Sequence, residues 1–202
     1  INLIVTVSYA GKKYGAEQQP DLSKSSTTQG SRISTKLNNA TIPAWKPLPD
    51  SMQTLTKIAF GSCSAQEVPQ PHWDTVSVYE PNLFLLMGDN VYGDIGDDAT
   101  GFPLREAYRK MAAHASVQGA APNIPVFATM DDHDYGTNNC HADSPYNELG
   151  RELFADFFDI PLAQLPADGV YRAAVWGEKG SRLQVILLDT RYTRSAFEET
   201  GD

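Results

Sequence analysis

The sequence predicts an α/β domain with a layered core, and three observations carry that expectation. Apolar runs at Ile58-Ala59-Phe60, Leu83-Phe84-Leu85-Leu86-Met87 and residues 124–129 are continuous rather than alternating, which suits strands covered on both faces. Interleaved with them are stretches of helical spacing. Leu104, Ala107, Tyr108, Met111 and Ala112 share one face, and Leu149, Leu153, Phe154 and Phe157 share another. Residues 170–175 and 183–188 read as a pair of strands with Gly177 and Gly180 in the turn. Strands alternating with helices build a layered α/β core.

The elements begin at residue 55. Residues 11–54 are rich in Ser, Thr, Gln, Asn, Lys and Pro, and 12–39 bury too little to fold, so this stretch is expected to be a polar leader or linker. Residues 43–49 are expected to be extended, because proline disfavours helix at and before itself. Residues 1–10 start mostly apolar and reach the small-x-small triplet Ser8-Tyr9-Ala10. That pattern fits the tail of a secretory signal and a secreted or periplasmic protein, or else an edge strand.

The chain has 202 residues, 41% of them hydrophobic, a globular composition large enough for one domain. A net charge of −9 argues against a nucleic-acid-binding surface. It leaves phosphate esters open, since a bound multivalent cation inverts the local field. No apolar run is long enough to span a membrane. Cys63 and Cys140 are the two cysteines, enough for one disulfide but not for a framework.

The chemistry gathers where three strands end, and open α/β sheets bind ligands beyond the carboxyl ends of their strands. The first strand delivers Cys63 and the second Asp89 with Tyr92. The third delivers Asp131-Asp132-His133-Asp134. Gly88 allows the tight bend that would turn Asp89 and Tyr92 toward one ion. Carboxylate and phenolate are hard anionic donors, and a thiolate adds charge, a set suited to a strongly Lewis-acidic metal such as ferric iron. Three carboxylates in four residues repel by roughly 1 kcal/mol per pair even in water, so a cation is expected beside them. The bland alternative is a capping Asp, a core Tyr and a solvated acidic turn. His133 is placed to act as a general acid.

These motifs resemble the PhoD-like (alkaline phosphatase D) branch of the calcineurin-type metallophosphoesterases. The resemblance rests on Gly61-Ser62-Cys63, Gly88-Asp89-Asn90-Val91-Tyr92, the stretch 128–136 and Leu187-Leu188-Asp189-Thr190-Arg191-Tyr192, in the family's order over residues 55–194. It implies an α-β-β-α sandwich and hydrolysis of small phosphate esters, mono- or diesters, at a dinuclear or larger centre of Fe3+ and Ca2+. Asp89 would bridge the metals, Cys63 and Tyr92 would bind iron, and Asp132 would bind calcium. His133 would act as the acid, and Asn90 and Arg191 would hold phosphate oxygens. A salt bridge from Arg191 to Asp189 is the competing reading.

Met130 stands where the family usually has Trp. The family continues to a Gly-Asp-x-His-type segment with late ligands, which this sequence lacks, so 55–202 is expected to be a C-terminally incomplete domain. The rival reading is therefore a truncated, inactive, metal-binding secreted domain. His72, His114 and His141 match no ligand position.

Overall fold

The computed structural model describes residues 3–8, 32–96, 98 and 100–198. A three-stranded parallel sheet positions the site. Its strands are β4 (Ile58–Gly61), β5 (Leu83–Met87) and β6 (Val126–Thr129), with β5 central. A second, antiparallel sheet lies against it and has the order β1 (Leu3–Ser8), β8 (Arg182–Leu187), β7 (Arg172–Trp176).

The continuous apolar runs have a direct physical cause. Side chains alternate across a strand, and here each face meets a different core. Phe84, Leu86 and Ala128 point into the core shared with the helices. Leu83, Leu85 and Phe127 point into a smaller core, where they meet Ala174, Trp176, Val185 and Leu187 of the antiparallel sheet. With both faces of β5 and β6 dry, no alternation is left to see there. The edge strand β4 departs from that expectation, since Phe60 in its apolar run is 65% exposed.

Helices α1 (His72–Tyr79), α2 (Phe102–Ala113), α3 (Ala115–Ala120) and α4 (Asn147–Phe157) all bury residues in the first core. The five α2 residues that share a helical face are all buried, as the spacing predicted. Helix α1 was not foreseen: it has eight residues and buries only Trp73, so no period develops. Among the described residues the helices cover the parallel sheet alone. With the two sheets they make three of the four layers expected of an α-β-β-α sandwich.

The structure changes the reading of the polar leader. From Arg32 onward it belongs to the folded body. A hairpin of β2 (Arg32–Ser34) and β3 (Ala40–Ile42) buries Leu37 and Ile42. Trp45 donates its indole N–H to Phe157 O at 2.7 Å, and Trp176 does the same to Pro49 O at 3.1 Å. A few large side chains anchor a segment whose average composition is polar. Residues 9–31 lie outside the described residues. The extended character of residues 43–49 is visible in a parallel bridge between Lys46 and Pro125. Leu3–Ser8, left open between a signal tail and an edge strand, pairs with β8 over six residues. Cys63 is exposed and Cys140 buried, and both are free thiols.

Candidate metal centre

Strands β4, β5 and β6 run parallel, so their carboxyl ends open on one side of the sheet. Gly88 closes β5 with φ 104°, and a Cβ there would stand 2.6 Å from Asp131 Cβ and 2.8 Å from Asp131 N. Only glycine lets the β5 and β6 loops come this close. Beyond it Asp89 takes a left-handed backbone (φ 48°), as does Cys63 after β4 (φ 62°). Two non-glycine residues in this region at one site mark local strain held by the surroundings. Cys63 N donates to Gly88 O (3.2 Å) and Ser64 N to Asp89 O (2.8 Å), so the two loops are stitched together.

Asp89 is the hub. Its Oδ2 is 3.6 Å from Cys63 Sγ and accepts from Tyr92 Oη at 3.3 Å. Its Oδ1 is buried and has no hydrogen-bond partner. Ligand atoms of Asp89, Asp132 and His133 lie within 4.8 Å of one another. Burial, then the charge of Asp131, push the Asp89 carboxyl above its ordinary range. Burial likewise raises the Tyr92 phenol, with Cys63 and Asp89 adding to it. A buried carboxylate oxygen without a donor is costly, and a cation would relieve both shifts at once. That unpaired oxygen and its hard-oxygen neighbours fit a bound cation.

The third strand's cluster divides by its partners. Asp131, Asp132, His133 and Asp134 sit on a single 3-10 turn, Asp132–Tyr135, with Asp131 as its cap. Asp134 points inward and is fully buried. It accepts from Asn90 N and Asp131 N at 3.0 Å, Asn90 Nδ2 at 3.2 Å, Val91 N at 3.3 Å and Tyr108 Oη at 3.3 Å. Burial pushes its carboxyl up to about 7 against the pull of those N–H bonds. Asp132 is buried too, but it accepts from the protein only at Oδ2, from Asn139 N at 2.6 Å, and pairs loosely with Arg191 at Oδ1.

His133 Nδ1 lies 2.8 Å from Asp94 Oδ1, a partner the sequence gave no sign of. Burial lowers the His133 pKa, but Asp94, Asp89 and Asp132 outweigh it and the net shift is upward. Its ring packs on Tyr92 with centroids 4.5 Å apart.

The last two expected residues behave differently from each other. Arg191 reaches the site: Nε pairs with Asp131 Oδ1, and Nη2 is 3.8 Å from Asp132 Oδ1. Asp189 instead accepts from the backbone N of Arg191 and Tyr192, both at 3.0 Å, so the competing Arg191–Asp189 side-chain bridge is not the arrangement found. Asn90 is buried, and its amide hydrogens go to Thr129 O (2.8 Å) and Asp134. No N–H of that side chain is free for a phosphate oxygen.

Fold and site together define an α/β protein whose parallel strands end in a cluster of potential metal ligands. Neither a family model nor a curated protein matches the sequence. A solved structure described as "Structure of PhoD" is similar, with a TM-score of 0.57 at 18% identity, covering 74% of this chain and 34% of that one. At that identity the likeness is one of fold, and the fold is PhoD-like. The chain spans about a third of that protein's length.

Proposed function

We propose that this chain carries part of a metal-dependent phosphoesterase centre acting on small phosphate esters. The observation that supports it most is the Asp89 carboxylate. One of its oxygens faces a thiol and a phenol, and the other is buried without a partner beside Asp132 and His133. Cys63, Tyr92 and Asp89 would hold ferric iron, and Asp89 with Asp132 would hold calcium. Bound there, the metals would supply Lewis acidity toward phosphoryl oxygens and a bound water.

The chain's own residues do the rest. Asp94 holds His133 at Nδ1, which leaves Nε2 as the nitrogen free to give a proton to the leaving alkoxide. Against the burial that lowers it, Asp94 and Asp89 draw the His133 pKa upward, which favours the protonated ring. Arg191 turns its planar fork toward phosphate once Asp131 and Asp132 have another cation to answer to. Asn90 belongs to the supporting loop. A secreted or periplasmic location goes with this reading and is tested by fractionating cells of the source organism.

The test is metal analysis of the purified 202-residue chain, followed by hydrolysis of p-nitrophenyl phosphate beside its bis-ester. Tight metal binding lost in Asp89→Asn supports the centre, and turnover that falls in His133→Ala with metal retained supports the acid. Metal binding without any turnover favours the inactive metal-binding domain. No metal binding removes both.

A further inference from the structure

We infer that Gln66 is a positioning residue, which fixes Tyr92 against Asp89 by clamping the backbone that carries it. The inference rests on the reading of Tyr92 as a ligand, and it adds a residue that no motif pointed to. Gln66 lies three residues past Cys63 in the loop after β4 and is buried. Its amide spans the backbone of Tyr92 on both sides: Tyr92 N donates to Gln66 Oε1 at 2.8 Å, and Gln66 Nε2 donates to Tyr92 O at 2.8 Å. A side-chain amide that uses one donor and one acceptor on a single residue copies a strand pair. It leaves that residue little freedom in φ or ψ.

The clamp is itself braced. His114, at the junction of α2 and α3, places Nε2 2.8 Å from Gln66 O. A carbonyl only accepts, so Nε2 carries the proton there. The helical layer thus holds Gln66, Gln66 holds the backbone of Tyr92, and the Tyr92 phenol meets Asp89 Oδ2. Together with the Cys63–Gly88 and Ser64–Asp89 backbone bonds, the clamp ties the loop carrying the thiol to the loop carrying the phenol and the hub carboxylate. One buried amide therefore sets the spacing of donors drawn from two strands. Small errors in such spacing are what a metal site tolerates least.

Three forms of the chain make the test: wild type, Gln66→Met, which keeps the buried volume and loses both bonds, and Gln66→Glu, which keeps only the acceptor. Two readouts are followed beside thermal melting. The first is the ring-to-ring nuclear Overhauser effect between Tyr92 and His133 in the metal-free protein. The second is the visible phenolate-to-iron absorption on titration with ferric ion, with Tyr92→Phe as the reference.

We expect Gln66→Met to fold and to lose the ring-to-ring signal. We expect its ferric affinity to fall about 10- to 100-fold, the range typical of lost outer-shell partners, with Gln66→Glu in between. Wild-type ring contact and wild-type affinity in both variants would overturn the inference. If the ring signal disappears in Gln66→Met while no form binds ferric ion, the clamp stands and the iron reading falls.

Discussion

Asp134 and Asp89 are two buried carboxylates at neighbouring strand ends, and the molecule treats them in opposite ways. Around Asp134 the chain supplies three backbone N–H groups, an amide and a phenol, so both oxygens are answered from within. Around Asp89 it supplies a thiol and a phenol to one oxygen and nothing to the other. The first arrangement is that of a structural group, whose carboxylate ties the β5 loop to the β6 turn. The second is that of a group held ready for something from outside. Burial and acidity are shared by the two, so neither separates them. What separates them is whether the protein has completed the hydrogen bonding.

That contrast can be broken from either side. The largest effect is expected for Asp134→Ala, which strands several buried donors. A loss of about 4 kcal/mol, read as a fall of ~10 °C in melting temperature for a chain of this size, would confirm the structural role. Next comes Asp89→Asn. Metal affinity should drop by ~100-fold or more, while the metal-free protein melts no lower than wild type, because a destabilising buried charge has been removed. If Asp89→Asn melted as early as Asp134→Ala, the two groups would be alike and the contrast would fail.

Gly88→Ala sharpens the same point, because it pushes the two loops apart where Asp131 leaves no space. A destabilisation of about 2 kcal/mol, together with weaker metal binding, is expected from melting and metal titration. The smallest effect concerns His133. In the metal-free protein its ring should titrate above the ordinary histidine value, and Asp94→Asn should move it down, as followed by NMR. The sign for stability follows from a raised folded-state pKa. The His133–Asp94 contribution is full below the unfolded histidine value near 6.5, and it is lost as pH rises through the raised value. A wild-type protein whose stability is flat across that window, with Asp94→Asn unchanged, would remove Asp94 from the account.

Much of this was legible in the sequence, and the reasons are physical. Strand β5 and helix α2 announce themselves because every residue on a dry face must be apolar. The candidate ligand residues announce themselves because they follow strand ends closely. The four-residue acidic cluster was legible as a cluster, but not which of its carboxylates the fold answers from within. That depends on the 3-10 turn and on Tyr108 and Asn90, many residues away. Asp94, Gln66 and His114 were hidden for the same reason, since each acts through hydrogen bonds to residues far along the chain, which leave no local pattern. The hairpin β2–β3 was missed because three-residue strands in a polar stretch carry no period. Asn90 is a different case: its motif position suggested a phosphate contact, and here its amide hydrogens go to Thr129 O and Asp134, which only the fold could show.

The most direct measurement is a crystal structure of the chain grown with ferric and calcium ions, with anomalous scattering used to place the iron. The account predicts an iron bonded to Cys63 Sγ, Tyr92 Oη and Asp89, with Asp134 still turned inward on its N–H donors. Iron bound away from these three side chains, or an Asp89 carboxylate satisfied by protein groups with no metal beside it, would contradict it.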